Sequence, residues 1–363
     1  MLWCFQIRVP GREVNNRFFQ TVRRKYKMAR IGISGFGRIS RVVMRAALEF
    51  DDIEIAGINY RNSTMDYIKY MLKYDSTFGR FPQEIETYSE GIIVGGKKIP
   101  VFTENDPRNI PWGEVGADYI VEGTGAYNTK EKAQAHLDAG AKKIIISAPA
   151  KDDSPTFVYG VNHKEYKPEY NVVSNASCTT NCLAPICKVL YDKWGISEGL
   201  MSTIHAATSK QKVIDGRSNG DWRRGRCAFN SIIPTTTGAA KAVALVIPEL
   251  KGKMTGISYR VPTADVSLID LNVFLENPTT YEEICKEIKR ASQEEMKDII
   301  EYTDEEVVSI DFVGDPHASI FDAVQGIQLN DKVFKIVAFY DNEYGYSTQL
   351  LRMVRYMDSV DNK

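Results

Sequence analysis

The stretch Arg30-Ile31-Gly32-Ile33-Ser34-Gly35-Phe36-Gly37-Arg38-Ile39-Ser40 decides the reading of this chain. Residues 30–34 read as a short apolar strand, and Gly35-Phe36-Gly37 is a turn. Beyond the turn, Ile39, Val42, Val43, Ala46 and Ala47 recur at i, i+3, i+4, i+7 and i+8, one face of a helix. Residues 53–58 read as a second strand. Strand, glycine turn, helix and strand make a βαβ unit. The first glycine permits the tight turn, and the second lets backbone approach an anion at the helix N-terminus, as a dinucleotide pyrophosphate requires. Serine at position 40 replaces the usual third glycine or alanine. A plain βα turn is the competing reading, since short glycine motifs are common.

The pattern repeats outward from there. Residues 118–121 are a strand, Thr129 caps a helix running to residue 139, Gly140 ends it, and 143–147 is another strand. This alternation predicts an α/β first half with a parallel, doubly wound sheet. Beyond the short strand 171–174 and a helix over 179–190, the signals change. Strands over 257–261, 266–274 and 333–340, with a helix over 281–291, predict an α+β unit with a mixed sheet. The expected division is 28–177 with 342–363 for a Rossmann cofactor domain and 178–341 for a catalytic domain. Residues 215–230 form a polar, arginine-rich loop, and a loop that long in a compact domain is usually functional.

Bulk properties narrow the classes. The net charge of −1 implies no attraction to nucleic acid or membrane surfaces. No apolar run approaches the length of a spanning helix. Six cysteines in 363 residues are not a disulfide framework, so a reducing cytoplasm is the natural setting. Residues 1–27 carry seven basic residues and one acid, Glu13. They read either as an organelle transit segment or as a disordered upstream extension with Met28 as the working start. The extension is favoured, because the segment lacks serine and Met28 directly precedes the first strand.

Cys178 lies where a strand gives way to a helix. A thiol there has its thiolate favoured by the helix dipole and free N–H groups, which is what a nucleophile needs. Two plainer readings compete: a small buried hydrophobe, or a metal pair with Cys182. With four histidines in the chain and no further ligands at useful spacing, no metal is expected. A nucleophile also needs a base. His136 reads as a surface residue in mid-helix, and His163 and His317 sit in polar turns. His205, at the end of a strand, remains the best partner.

Several longer motifs now resemble one family. Gly35-Phe36-Gly37-Arg38-Ile39, Ala176-Ser177-Cys178-Thr179-Thr180-Asn181-Cys182-Leu183-Ala184-Pro185 and Pro234-Thr235-Thr236-Thr237-Gly238-Ala239-Ala240-Lys241 look like phosphorylating glyceraldehyde-3-phosphate dehydrogenase. Tyr259-Arg260-Val261-Pro262-Thr263 and Tyr340-Asp341-Asn342-Glu343-Tyr344-Gly345-Tyr346-Ser347 resemble it too, in family order. The resemblance implies Cys178 as nucleophile and His205 as the base that lowers the thiol pKa. It implies Thr208 and Arg260 for the substrate phosphate, and Ser177, Thr179, Thr237 and Gly238 for the attacking inorganic phosphate. Gly35, Phe36, Gly37, Arg38, Ile39, Thr124, Ser147, Asn342 and Tyr346 would contact the cofactor, NAD or NADP. A homotetramer is implied, with the arginine-rich loop lying across a neighbour's cofactor site. Erythrose-4-phosphate dehydrogenase is a near alternative, and a non-catalytic binding protein a distant one.

Two departures from the NAD-type pattern predict NADP use. Tyr60 stands where an aspartate would hold the adenosine ribose, with Arg61 beside it. Arg217 stands where NAD-type relatives carry proline.

Overall fold

The computed structural model describes residues 28–363; the basic segment 1–27, with both readings given above, lies outside the described residues. The first sheet is built from β1 (Ala29–Ser34), β2 (Ile53–Asn59), β3 (Ile85–Tyr88), β4 (Gly91–Val94), β5 (Lys97–Phe102), β6 (Tyr119–Glu122), β7 (Lys143–Ile146) and β8 (Val172–Ser174). Its order is β8-β7-β6-β1-β2-β5-β4-β3. The six strands from β8 to β5 run parallel. The predicted parallel sheet thus carries an antiparallel extension that periodicity did not show. A tight turn makes it: Gly95 and Gly96 both take positive φ between β4 and β5, backbone that suits a hairpin.

The crossover helices bury the faces their periodicity marked. α1 (Arg38–Ala46) follows β1, and Val42, Val43 and Ala46 are fully buried. Ser40 is also fully buried, and a Cβ on Gly123 would meet its Oγ at 2.2 Å, so the unusual third residue fills the space where two turns touch. After β1 the chain passes to β2 and β5 on one side, then returns to β6 on the other. The carboxyl ends of β1 and β6 are therefore a topological switch point, where open α/β sheets bind ligands.

The second sheet holds β9 (Ile196–Ala206), β10 (Ile233–Thr236), β11 (Met254–Val261), β12 (Ser267–Leu275), β13 (Ile300–Thr303), β14 (Ser319–Asp322) and β15 (Val333–Tyr340), in the order β10-β11-β9-β12-β15-β14-β13. β9 pairs parallel with β11 and antiparallel with β12, so the sheet is mixed. One face of the alternating β12 is buried against α4 (Cys178–Trp194) and α5 (Tyr281–Gln293). α4 runs four residues beyond its periodic signal because Gly195, at φ +71°, ends it. The last helix, α6 (Tyr344–Asp361), returns to the first sheet: Leu350, Val354 and Met357 share a core with Ile31 and Val43.

The turn into α6 carries a buried acid pair. Asp341 accepts from the amides of Gly314, Glu343 and Tyr344 at 2.7–2.9 Å. Asp265, 3% exposed, has no donor partner among the described residues. Burial, then the charges of Asp341 and Glu343, push its carboxyl far above the usual range. The fold thus keeps a proton that the unfolded chain releases, so this stability is fully present below about pH 4 and is lost as pH rises to about 9. Asp265→Asn replaces the protonated acid with a neutral amide. Its melting temperature should exceed wild type by a few degrees at pH 9, with the gap closing as pH falls toward 4; parallel curves across this range would refute the retained proton.

Candidate active site

Cys178 is the first residue of α4. Ser177 caps the helix, its Oγ accepting from the Thr180 amide at 3.1 Å. The capped amide leaves the N–H groups of Cys178 and Thr179 as the unpaired donors of the first turn. Ala176 precedes this turn at φ +56°, a left-handed conformation that a non-glycine residue adopts only under constraint. The constraint is visible: Ala176 N donates to Ser174 Oγ at 3.1 Å, Tyr346 OH donates to Ala176 O at 3.2 Å, and Asn181 Nδ2 binds the carbonyls of Asn175 and Ser177. Tyr346, expected against the cofactor, is 5% exposed and reaches the backbone beside the thiol.

His205 ends β9, and its Nε2 lies 3.4 Å from Cys178 Sγ. In the parallel ladder it pairs with Arg260 of β11. Arg260 Nη1 lies 2.6 Å from His205 Nδ1 and 3.1 Å from Ala206 O. A guanidinium only donates, so the Arg260 contact needs Nδ1 to accept, whereas Ala206 O, 2.9 Å from Nδ1, accepts a proton from it; the two contacts compete for the ring's tautomer. Burial, with the Arg260 charge behind it, holds the His205 pKa down to about 3.

The charge state of the ring bears on the thiol. A neutral imidazole supplies no charge to lower the thiol pKa. Burial pushes the Cys178 thiol up, and Arg260 is the cation that opposes it. The half-buried sulfur therefore depends on Arg260 and the helix terminus for its thiolate.

The other predicted residues divide. Thr179 Oγ1 is spent on Tyr340 OH at 2.8 Å, which Thr203 Oγ1 also meets at 2.9 Å; the Thr179 backbone N–H is what remains for an anion. Thr237 Oγ1 accepts from Ala239 N at 3.1 Å, and Gly238 is exposed. Thr208 is half-buried, with Oγ1 on Gln211 at 2.8 Å. Asn342 Oδ1 accepts from Ser267 Oγ at 2.6 Å, and Ser267 accepts from Ala206 N at 3.0 Å, so the amide's orientation is set from the His205 strand. Tyr340, Ser267 and Asn181 gave no sequence signal as site residues, because their role is to position others across elements distant in sequence.

One histidine sorts differently from expectation. His136 is fully buried, not on the surface. Its helix, α3 (Lys130–Asp138), is mostly polar, but the ring faces inward between Trp112 and Glu122. His163 lies against Tyr159 and Tyr356, and His317 bonds Asp315 in its turn.

At the switch point lies a crevice of about 280 Å³, lined by Gly35, Phe36, Gly37, Tyr60, Arg61 and Thr124 among others. A dinucleotide fits this lining. Gly35 takes φ +83°, and any Cβ there would stand 2.7 Å from Thr124 Cγ2. Gly37 has open space where its Cβ would be, and no side chain caps α1, so its first N–H groups face an anion site. The Arg38 side chain is committed elsewhere: it ion-pairs with Asp75 and, at 2.5 Å, with Glu343, tying α1 to the start of α6. What Arg38 offers the crevice is its backbone. Ile39 packs on the core beneath, and Ser147, outside the lining, donates to Glu122 O at 2.8 Å. Glu104, absent from the expected set, also lines the crevice.

Residues 29–130 match the glyceraldehyde 3-phosphate dehydrogenase NAD binding domain, and residues 177–342 match the C-terminal domain of the same enzymes. The chain belongs to the glyceraldehyde 3-phosphate dehydrogenase family. It is 54% identical to a glyceraldehyde-3-phosphate dehydrogenase of Ogataea parapolymorpha, over 92% of this chain and 99% of that one. The cytosolic glyceraldehyde-3-phosphate dehydrogenase of Pisum sativum is 54% identical over 90% and 96%. A Chlamydia pneumoniae relative of the same name is 52% identical over 91% and 98%. This membership makes the metal-pair reading of Cys178 and Cys182 unnecessary: Cys182 is fully buried in the α4 core, where burial pushes its thiol up.

Proposed function

We propose that this chain oxidises glyceraldehyde 3-phosphate and phosphorylates the product to 1,3-bisphosphoglycerate, through a thioester on Cys178. The observation that carries the reading is the line Cys178 Sγ, His205, Arg260, with contacts of 3.4 Å and 2.6 Å, in a chain of this family. Cys178 Sγ attacks the aldehyde carbon. The N–H of Cys178 and the ring of His205 stabilise the oxygen that gains charge. The substrate's phosphate draws Arg260 off His205 Nδ1. Nδ1 then holds the ring proton against Ala206 O at 2.9 Å, and Nε2 takes the thiol proton as Sγ attacks, gives it to the new oxygen as the hemithioacetal hydroxyl, and takes it back as hydride leaves. A nicotinamide, when bound, would supply the two-electron acceptor, and Asn342 is the proposed holder of its carboxamide. Inorganic phosphate attacks the resulting thioester, the C–S bond breaks, and the Cys178 thiolate returns.

Ser177, the Thr179 N–H, Thr237 and Gly238 are the proposed holders of that phosphate, and Thr208 with Arg260 those of the substrate's own. Turnover should therefore require phosphate or arsenate. Absorbance of the reduced cofactor, followed with and without phosphate, tests this: steady oxidation in phosphate-free buffer would instead indicate a hydrolytic aldehyde dehydrogenase.

The crevice supports use of NADP, with preference over NAD. Tyr60, half-buried against Phe36, carries no charge to repel a 2′-phosphate, and exposed Arg61 lines the same wall. Glu104 opposes this in part. One charge-assisted hydrogen bond contributes roughly 1.5–3 kcal/mol, about ten- to a hundredfold in preference. The expected result is a higher kcat/KM with NADP in wild type, reversed by Tyr60→Asp and reduced by Arg217→Pro. A wild type at least about tenfold better with NAD, unmoved by either substitution, would overturn the preference.

The proposed division is 28–177 with 342–363 for cofactor binding and 178–341 for catalysis. The homotetramer remains a proposal, supported by Ile214, Trp222, Phe229 and Ile232, which are 63–86% exposed in and beside the arginine-rich loop. Among the described residues no helix is long and apolar enough to cross a membrane; a cytoplasmic setting is proposed.

A further inference from the structure

Behind the cofactor crevice runs a buried line of polar side chains that the chemistry at Cys178 does not use. Trp112 Nε1 donates to His136 Nδ1 at 3.1 Å, and His136 Nε2 meets Glu122 Oε2 at 3.2 Å. Glu122 Oε1 accepts from Thr124 N at 2.8 Å and from Thr124 Oγ1. Trp112 and His136 are fully buried and Glu122 is 1% exposed, whereas Thr124 is exposed on the crevice wall against Gly35.

The protons along this line have one arrangement. An indole N–H only donates, so His136 Nδ1 accepts. An imidazole that accepts at Nδ1 carries its proton on Nε2, which therefore donates to Glu122. Glu122 receives from His136 and twice from Thr124 and donates to none of them, the pattern of a carboxylate. The same unit also holds the far end of the wall segment. Ala126 N donates to Thr124 Oγ1 at 3.0 Å, and the Tyr127 ring, which lines the crevice, packs edge-on against His136 at 5.4 Å.

We propose that Glu122 and His136 are positioning residues for the dinucleotide, acting through Thr124 and Tyr127 to hold the crevice wall in its binding shape. This rests on the reading of the crevice as the cofactor site. It assigns a polar role to a buried histidine and glutamate that lie outside the thiol chemistry, and it makes the direction of one tautomer a condition of cofactor affinity.

The proton arrangement gives a test with a sign. In Glu122→Gln the amide oxygen still accepts from Thr124, but the amide N–H faces the His136 Nε2–H. The ring cannot switch tautomer, because the Trp112 N–H occupies Nδ1. Trp112→Phe removes that obstacle, so in the double variant His136 moves its proton to Nδ1 and accepts from Gln at position 122. Dissociation constants for NADH and NADPH are read from cofactor fluorescence without substrate, beside thermal melts and the rate of Cys178 alkylation by iodoacetamide. Glu122→Gln should weaken binding by at least about tenfold, the size of one unpaired buried donor. Adding Trp112→Phe should recover at least about a third of that loss in free-energy terms, and the alkylation rate should stay at the wild-type value throughout. Thr124→Val removes only the crevice-side hydroxyl; it should weaken binding at least about threefold, and it carries the test if Glu122→Gln does not fold. Glu122→Gln or Thr124→Val with wild-type affinity and only a lower melting temperature would overturn the proposal, as would a double variant in which the two losses simply add. A wild type that binds neither cofactor would overturn the crevice reading itself, before any variant is compared.

Discussion

Cys178→Ser should abolish turnover, with less than about 1% of the wild-type rate remaining, while the protein melts normally and still binds cofactor. A serine hydroxyl stays protonated near neutral pH and is far the weaker nucleophile. The setting of Cys178 sharpens this. The sulfur is half-buried, its thiol pushed up by burial, and Arg260 is the cation among the described residues that opposes that rise. Stopped-flow absorbance would show neither a burst nor a steady rate. A variant keeping more than a few per cent of wild-type turnover would place the nucleophile elsewhere.

The second large effect concerns His205. His205→Asn should lower kcat by about 10²–10⁴, the usual contribution of a positioned general base. It should leave the pH midpoint of Cys178 alkylation nearly unchanged. The sign follows from the charge state: with its pKa held down to about 3, His205 is neutral at every pH where the enzyme would be assayed, so replacing it removes no cation from beside the sulfur. Arg260→Gln should do the reverse to the thiol. It removes the charge that pulls the Cys178 pKa down, so the alkylation profile should move to higher pH, with KM for the triose phosphate raised about tenfold or more by loss of a charge-assisted bond. A lowered alkylation plateau near pH 6 in wild type, lost in His205→Asn, would instead mean an imidazolium–thiolate pair. That result would overturn the assignment of Arg260 as the activating cation.

The low folded pKa of His205 also bears on stability. The unfolded chain takes up a proton at this residue near pH 6.5, while the folded chain does so only near pH 3. Its contribution is thus fully present above pH 6.5 and is lost as pH falls toward 3. His163, held down to about 4 by burial, acts in the same direction. With the Asp265–Asp341 pair losing stability on the alkaline side, the two groups of residues set opposite edges of the stability range.

Local sequence by itself determined the first βαβ unit. Gly35 and Gly37, the periodic face of Val42, Val43 and Ala46, and Thr129 as a cap are decided within a few residues of themselves, and each is found as read. Cys178 at a helix N-terminus was legible for the same reason, and its long motif named the family. What local sequence could not decide was which partner each polar group would meet. His205 and Arg260 are 55 residues apart and become neighbours only through the parallel register of β9 and β11. That register, not either motif, sets the Arg260 charge against the His205 ring, where with burial it holds the ring's pKa down. His136 looked like a surface residue because its helix is mostly polar; its burial depends on Trp112 and Glu122 arriving from a loop and from β6. Tyr346 turned to the Ala176 carbonyl, and Arg38 to Glu343, because α6 closes back across the first sheet. Helix caps and turns are satisfied by near neighbours and can be read along the chain, whereas a buried donor must find its acceptor wherever packing brings one.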